Sequence, residues 1–308
     1  MISISQKLKL ILKITKLSQE KLALKLGVSF VTLNSWINNK SIPRKKYQDK
    51  IDDLYFSYTG EKIIPKNHLQ AQKNIIYKKS KKYSNILQHI INYPDLYDQL
   101  VLSLTYNTNS IEGSTLTENE TAEIIFQGKS LANKSFLEHL EAKNHQTALI
   151  YLFKYLQNKN NEINEDLILK LHSILMNGIR DDAGFYRNHG VRIVGSNIPT
   201  ANYLKIPILM PQLMQKVLLP QDDVIYNVTI IHSEFEKIHP FSDGNGRIGR
   251  LLIQAMLLLK NLPPALIKQE NKHLYYSFLN KAQSSNDTSL LENFICEAMF
   301  EGLELLKI

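Results

Sequence analysis

The chain contains almost no cysteine, which limits the chemistry available to it. Cys296 is the only cysteine among 308 residues, and it lies in an apolar stretch with helical spacing. One thiol cannot form a disulfide framework or a multi-cysteine metal site within one chain. A reducing, cytoplasmic location is therefore the simplest expectation.

Long apolar runs are also missing. No stretch approaches the roughly 20 consecutive apolar residues of a membrane-spanning helix, and the amino terminus lacks a signal-peptide pattern. We therefore expect no membrane association. Glycine and proline are scarce, at 12 and 10 residues, and 44% of the chain is hydrophobic. This is ordinary globular composition, in a chain long enough for two domains.

Basic charge is unevenly distributed along the chain. Residues 1–82 contain 18 Lys and Arg against 5 Asp and Glu, a net charge of +13. The remainder contains 19 against 24, a net charge of −5. This asymmetry predicts that the amino-terminal part meets a polyanion. A lysine-biased proteome would give the same counts, and that alternative stays open.

The stretch richest in functional side chains is 239–250, which reads HPFSDGNGRIGR. It lies between two apolar helix patterns, 225–238 and 251–259. Gly244 and Gly246 allow positive φ and a close approach of the backbone to a ligand. Their amides, with those that open the next helix, form a nest suited to an anion such as phosphate.

Four other side chains of this stretch supply charge and a base. Arg247 and Arg250 are three residues apart, so both guanidinium groups can face one anion. Histidine has a usual pKa that suits proton abstraction near neutrality, which makes His239 the candidate base. Asp243 offers a hard oxygen ligand of the kind that Mg²⁺ prefers. The combination predicts a nucleotide-phosphate site that carries its own base.

The same stretch resembles the Fic (Fido) family signature HPFx[D/E]GNGRxxR at every specified position. The resemblance implies a mainly α fold: an all-helical core with a small β-hairpin flap. It implies transfer of AMP from ATP to a Ser, Thr or Tyr hydroxyl of a protein target or of the chain itself. His239 would deprotonate that hydroxyl, and Asp243 would hold Mg²⁺ between the α- and β-phosphates.

The resemblance also assigns the nucleotide contacts. Asn245 and the loop amides would bind the α-phosphate, and the two arginines the β- and γ-phosphates. A tyrosine at the start of a later helix would flank the adenine; the sequence does not decide between Tyr275 and Tyr276, and we take Tyr276 as the candidate. The implied nucleotide-binding set is Gly244, Asn245, Gly246, Arg247, Arg250 and Tyr276.

Residues 1–57 read as a bundle of short helices. Ser18 and Ser29 each precede an apolar helix pattern as N-cap residues, and Gly27 ends the helix between them. The run LSQEKLALKLGVS, followed by Trp36, resembles the helix-turn-helix of Cro and phage-repressor-like domains. A small helical bundle used for protein contacts would share this pattern, and that alternative stays open.

This second resemblance implies that one helix lies on the DNA backbone and the next enters the major groove. Phe30 and Val31 are apolar and would contact thymine methyl groups. Such domains usually bind DNA as dimers, so we expect a homodimer. The implied DNA-binding residues are Gln19, at phosphate, and Phe30, Val31, Thr32 and Ser35, at base edges.

A second short motif, Thr108-Asn109-Ser110-Ile111-Glu112-Gly113, closes a helix expected around 98–113. It resembles the inhibitory motif [S/T]xxxE[G/N] of self-restraining Fic proteins. The resemblance implies that Glu112 pairs with Arg250 and denies that arginine to the γ-phosphate. A glutamate followed by glycine also simply ends many helices, and that alternative stays open.

The expected domains are a helix-turn-helix domain at 1–57, a linker at 58–82 and a Fic domain at 83–308 with its active-site loop at 239–250. The polar, lysine-rich composition of 58–82, with Gly60 and Pro65, predicts no packed core there. The segment GSNIPTANYLKIP, residues 195–207, is expected to form the flap, which would clamp a target chain by strand addition.

Two other functions stay open. The same residues can run the reaction in reverse, as a de-AMPylase in which Glu112 positions water. Alternatively, the chain is a DNA-binding transcriptional regulator whose Fic domain senses nucleotide. Kinetics separates the two directions of the reaction, and salt-dependent DNA binding would support the regulator.

Overall fold

The computed structural model describes residues 3–59, 64, 66–158, 160–193, 198–219, 222–285 and 287–307. Within these ranges the chain forms fifteen α-helices and two short 3₁₀ helices, and no strand is assigned. The expected mainly helical fold is confirmed. Two compact units divide the chain, Met1–Ile63 and Ile64–Ile308. None of the helices in these ranges is sufficiently long and apolar to span a bilayer.

The first unit is a four-helix bundle. Ser18 and Ser29 accept hydrogen bonds from the backbone amides of Lys21 and Thr32, and Gly27 ends the second helix at φ 72°. Its hydrophobic core includes the buried side chains of Leu8, Leu22, Leu33, Trp36 and Ile51. Its helices are α1 (Ile4–Thr15), α2 (Gln19–Leu26), α3 (Phe30–Ile37) and α4 (Lys45–Thr59).

The second unit contains the remaining helices. They are α5 (Lys66–Ser80), α6 (Ile86–Asn92), α7 (Pro94–Glu112), α8 (Glu118–Gln127), α9 (Phe136–Gln157), α10 (Glu165–Leu175), α11 (Ile206–Leu218), α12 (Val224–Ile238), α13 (Asn245–Leu259), α14 (Lys272–Ser285) and α15 (Ser289–Leu305). The 3₁₀ helices are Tyr203–Lys205 and Gln269–Asn271.

Helix α13 lies at the centre of this unit. It is buried on all sides over most of its length, and its polar residues Asn245, Arg247, Arg250 and Gln254 are buried with it. Helices α7, α9, α10 and α12 all pack against it. Its first turn is therefore surrounded by side chains from several helices, and this arrangement creates the site described below.

The predicted linker at 58–82 differs from the structure. Helix α5 fills most of this stretch and packs against α15. Leu69, Lys73 and Ile76 are buried at helical spacing, and the Lys73 ammonium donates to Asp223 (2.5 Å) and to Glu292. The lysine-rich composition concealed this buried face, because one of its lysines is paired inside the fold.

The expected β-hairpin flap is not seen in the described residues. Residues 194–197 lie outside them, and no strand pairing joins the two arms on either side. Side chains instead take carbonyl groups that a strand ladder would use. Thr200 Oγ1 donates to the Val191 carbonyl (2.8 Å), and an Arg187 guanidinium N–H donates to the Ala201 carbonyl (2.6 Å). The described residues on either side of 194–197 are therefore irregular and held by side chains, and the later of them lead into α11.

Candidate active site

The candidate base lies at the corner between α12 and the loop. His239 ends α12 with a left-handed backbone, φ 53°, and its Nδ1 lies 3.2 Å from the Glu236 carbonyl oxygen. A carbonyl can only accept, so Nδ1 carries the proton and Nε2 keeps its lone pair. Burial lowers the pKa of His239 from its ordinary value. The imidazole is therefore neutral at neutral pH, as a general base requires.

The loop that follows is closed by the side chain of Asn245. Its Oδ1 accepts from the Phe241 amide (2.9 Å), and its Nδ2 donates to the Phe241 carbonyl (2.9 Å). The Asn245 side chain thus holds the loop closed, and the implied contact of Asn245 with the α-phosphate stays a prediction. Gly244 precedes α13 at φ 75°, so the amides that open the helix remain the candidate anion site.

A buried histidine supports the loop from below. The His172 ring stacks on Phe241, with centroids 3.7 Å apart. Its Nδ1 accepts from the Gly184 amide (2.8 Å), and Nε2 lies 3.2 Å from the Asp243 carbonyl. Burial lowers the pKa of His172 to about 4, so the ring stays neutral and can make both contacts.

Arg187 ties the loop to the preceding segment. Its guanidinium, 3% exposed as a residue, donates to the carbonyls of His239 (2.7 Å), His189 (2.6 Å) and Ala201 (2.6 Å). Arg187 thus joins the segment around residues 187–201 to the corner that presents the base. Sequence reasoning gave Arg187 no role.

Asp243 is the most accessible charged group of the loop, with a side chain 53% exposed. Its Oδ1 accepts from the Gly244 amide (2.6 Å) and lies 3.7 Å from Arg247 Nη2. In the described part of the chain, no three His, Cys, Asp or Glu side chains cluster as a metal cage. A single accessible carboxylate still fits Mg²⁺, which is commonly held by one or two carboxylates together with substrate phosphates and water.

The two arginines of the loop do not share a partner. Arg247 Nη1 donates to Glu141 Oε1 (2.7 Å), on α9. Arg250 turns towards α7, where its Nε donates to Thr108 Oγ1 (2.6 Å) and its Nη2 to Glu112 Oε1 (2.5 Å). Glu141 could not be found from sequence, because nothing near it in the chain marks it as a partner of the loop.

The Glu112–Arg250 pair joins a buried arginine, 5% exposed, to a carboxylate whose side chain is 30% exposed. Burial opposes ionisation of Glu112, but the Arg250 guanidinium outweighs it and holds the pKa of that carboxyl below its ordinary value. Gly113 follows with φ 112° and ends α7. The two readings of the Glu-Gly pair are therefore compatible, since the glycine ends the helix and the glutamate reaches the arginine.

Gly246 explains where this pair lies relative to the anion site. A Cβ at that position would lie 2.5 Å from Glu112 Oε1 and 3.1 Å from Arg250 Nη1. The carboxylate therefore rests directly on the first turn of α13, where the helix amides would meet a phosphate. A negative charge here repels the phosphates as well as occupying the arginine.

The two candidate tyrosines occupy different environments. Tyr275 is 1% exposed, and its hydroxyl lies 2.7 Å from His232 Nε2. Tyr276 is 38% exposed, and burial together with the charge of Glu112 raises its pKa to about 12. Only Tyr276 presents an accessible ring beside the Glu112–Arg250 pair.

In the amino-terminal unit, four of the five residues expected to contact DNA, Phe30, Val31, Thr32 and Ser35, lie on α3. Phe30 and Val31 are 43% and 74% exposed, so both side chains are accessible to a partner. Thr32 and Ser35 are half-buried, and their hydroxyls form hydrogen bonds with those of Ser29 and Ser41 respectively. Gln19 is also half-buried. The exposed cationic side chains nearby are Lys40, Arg44, Lys45 and Lys46.

Two family models match the chain. Residues 162–257 match the Fic/DOC family, and residues 8–55 match a helix-turn-helix family. Protein adenylyltransferase Fic from Nematostella vectensis is 33% identical over 189 residues, 58% of this chain and 42% of the relative. The protein of the same name from Aedes aegypti is 30% identical over 204 residues, 65% of this chain and 40% of the relative. The chain thus spans about two fifths of the length of these curated relatives.

Solved structures share the fold. A Fic family protein from Desulfovibrio desulfuricans G20 aligns with a TM-score of 0.64 at 25% identity, covering 79% of this chain and 74% of that one. A Fic-domain-containing signalling protein from Bacteroides thetaiotaomicron aligns with a TM-score of 0.66 at 22% identity, covering 77% of this chain and 98% of that one. At that lower identity the likeness concerns the fold alone.

Proposed function

Since residues 162–257 form a Fic/DOC-family domain, we propose that this chain is a protein adenylyltransferase. It would transfer AMP from ATP to a Ser, Thr or Tyr hydroxyl of a protein target, itself included. Relatives with about 30% identity bear the name protein adenylyltransferase. The proposal extends that activity to this chain, which corresponds to only part of their length.

One observation supports the proposal above all: His239 is neutral, and its Nε2 has no hydrogen-bond partner among the described residues, at the start of the candidate anion-binding loop. His239 takes the proton of the acceptor hydroxyl while its oxygen attacks the α-phosphorus. The new O–P bond forms as the bond to the departing pyrophosphate breaks. Because the enzyme forms no covalent intermediate in this scheme, its contribution is positioning and charge stabilisation.

The loop supplies the phosphate contacts. The amides that open α13, including those of Asn245 and Gly246, would meet the α-phosphate, and the guanidinium groups of Arg247 and Arg250 the phosphates beyond it. Asp243 would hold Mg²⁺, which when bound neutralises phosphate charge. Tyr276 would flank the adenine with its accessible ring.

Glu112 would restrain this activity. Its carboxylate holds Arg250 and rests on the first turn of α13, where it would compete with the outer phosphates for both. The restrained state would predominate until Glu112 leaves. In the reverse reaction, removal of AMP from a modified hydroxyl, the same carboxylate would orient water.

A second function is favoured by the helix-turn-helix match at residues 8–55. We propose that this unit binds DNA as a homodimer, with Gln19 at phosphate and Phe30, Val31, Thr32 and Ser35 at base edges. The exposed apolar side chains at the start of α3 support this use. The buried free thiol of Cys296 fits a reducing, cytoplasmic compartment.

The decisive experiment is intact-mass analysis after incubation with ATP and Mg²⁺. It is best made in the Glu112→Gly background, so that restraint does not hide the reaction. We expect AMP adducts that His239→Ala abolishes while ATP binding, measured by calorimetry, persists. His68→Ala, which changes an exposed histidine on α5, is the matched control and should leave the adducts. Persistent adducts in His239→Ala would contradict the base assignment, and loss of AMP from a premodified protein would favour the reverse reaction.

A further inference from the structure

The family signature leaves position 249 unspecified, yet this chain has glycine there and the structure supplies a reason. Gly249 lies where α12 and α13 approach closely. A Cβ on it would lie 2.5 Å from Glu236 Oε1 and 3.0 Å from His232 Cε1. The missing side chain therefore makes room for a buried carboxyl group behind the active-site loop.

Glu236 is unusual for a buried acidic residue. It is 5% exposed, and its Oε1 has no hydrogen-bond partner among the described residues. Its Oε2 lies 3.9 Å from Nδ1 of His239, one turn further along α12. A buried, unpaired carboxyl oxygen is costly for the fold, so its position calls for an explanation beyond packing.

Arg250 offers the complementary group. Its Nε and Nη2 are used by Thr108 and Glu112, whereas its Nη1 is buried without a partner in the described part of the chain. Nη1 and the Glu236 oxygen lie against neighbouring turns at the start of α13, over Gly246 and Gly249 respectively. Arg250 is therefore hydrogen-bonded to Glu112 and not to Glu236, although its positive charge acts on both carboxyl groups.

Burial and the nearby charges explain why Arg250 pairs with Glu112 and not with Glu236. Burial raises the pKa of Glu236 to about 8; the Arg250 guanidinium opposes the shift, and the Glu112 carboxylate adds to it. The other titratable groups that face it are His232 and His239 on its own helix and Tyr275 and Tyr276 on α14. At neutral pH Glu112 is therefore ionised, because Arg250 lowers its pKa, and Glu236 is protonated, chiefly because it is buried.

We propose that Glu236 is a positioning residue that takes the free Nη1 edge of Arg250 when Glu112 leaves, and that its other oxygen then acts on His239. This inference rests on the proposed function, since it concerns the same site after its restraint is released.

The exchange balances in charge and protons. Glu112 leaves Arg250 as a carboxylate, and Glu236 gives its proton to solvent and becomes the new carboxylate partner. Arg250 is then held from α12 through Nη1, while Nη2 is left for a phosphate. The ionised Glu236, close to Nδ1, strengthens His239 as a base because a nearby negative charge favours the protonated imidazole. Release of the arginine and activation of the base would thus occur together.

The first test measures melting temperature against pH and does not depend on enzymatic activity. It uses Glu→Gln substitutions, which remove the charge and nearly preserve the shape of the side chain. Glu236 binds its proton more tightly in the folded state, so its contribution to stability is complete below about pH 4.5 and is lost as the pH rises towards about 8. In the wild type we expect the melting temperature to fall between pH 6 and 9 by about 5 °C more than in Glu236→Gln. In Glu112→Gln the fall should shrink, because Glu236 ionises earlier beside Arg250.

The double variant Glu112→Gln/Glu236→Gln completes the cycle. With Glu236 already changed, removal of the Glu112 charge should no longer alter the pH dependence of melting. Glu234→Gln, on the exposed face of α12 where Glu234 pairs with Lys216, is the matched control and should resemble the wild type. Equal pH dependence in wild type and Glu236→Gln would overturn the inference, since Glu236 would then not titrate in this range.

The second test reads the coupling to the base. The rate of AMP transfer is measured against pH in Glu112→Gly with and without Glu236→Gln. We expect the acidic limb to move to lower pH by about one unit when Glu236 is changed, with a fall in rate of roughly tenfold from the less well held arginine. An unmoved acidic limb would refute the inference. If Glu112→Gly transfers no AMP at all, the proposed function fails, and the melting cycle still decides the role of Glu236.

Discussion

Glu112→Gly should release the restraint on AMP transfer, and the structure gives the size of the effect. The substitution removes the carboxylate that binds Arg250 Nη2 at 2.5 Å and clears the space over Gly246. A hydrogen bond to a charged group contributes about 1.5–3 kcal/mol. The Glu112 side chain is 30% exposed, so solvent screening favours the lower end. About 1.5–2 kcal/mol corresponds to a rise of roughly 10- to 30-fold in the rate of transfer.

The assay is the initial rate of AMP incorporation into the purified chain, followed by intact mass at saturating Mg²⁺ and ATP below saturation. Glu123→Gly is the matched control, because Glu123 lies on α8 and forms an ion pair with Lys129 rather than with an arginine of the loop. That control should not accelerate transfer. An unchanged rate in Glu112→Gly, or an equal rise in both variants, would refute restraint through Arg250.

The pH dependence of the restraint follows from the same pair. Arg250 holds the pKa of Glu112 below its ordinary value, so the ion pair is present above the ordinary carboxyl pKa and is lost only as the pH falls through the depressed one. Restraint should therefore persist throughout the neutral range. A wild-type rate that approached the Glu112→Gly rate merely by lowering the pH from 8 to 6 would contradict this assignment.

Two further outcomes are expected. Replacing Arg44, Lys45 and Lys46 by glutamine should weaken binding of the chain to duplex DNA. If all three side chains contact phosphate, the salt dependence of the affinity should fall by about three counter-ions. An unchanged salt dependence in a fluorescence titration would exclude these contacts. Lys73→Met should lower the free energy of unfolding by about 3–5 kcal/mol in urea titration, since it leaves Glu292 and Asp223 without their buried cation. Adding Glu292→Gln should recover part of that loss, and no recovery would show that the charge of Glu292 is not the cause.

Local features of the fold were predictable because they depend on residues close in sequence. Ser18, Ser29 and Gly27 delimit α2 and α3 as expected from their capping chemistry. The active-site loop was predictable for the same reason, since base, glycines and arginines all occur within one short stretch. The contact between Glu112 and Arg250 spans 138 residues and was reached only through the resemblance of a second motif.

Features that depend on packing could not be read from the chain. Glu141 and Arg187 act on the loop from other segments, 106 and 52 residues from their partners in the chain. Helix α5 was hidden because Lys73 is a buried lysine at a position where helical spacing calls for an apolar residue. Glu236 was passed over because only the close approach at Gly249 shows that its carboxyl group faces inwards.

The two hydrogen bonds between Asn245 and the backbone of Phe241 have a consequence for nucleotide affinity. They close the stretch from Phe241 to Asn245 into a ring through the protein's own side chain. Fixing a residue's backbone costs about 1–2 kcal/mol in conformational entropy, so ordering five residues amounts to roughly 5–10 kcal/mol. This entropy is lost when the chain folds, so binding of a nucleotide does not have to order the loop again. Substituting Asn245 would therefore weaken nucleotide binding entropically, although its side chain touches no phosphate in the proposed complex.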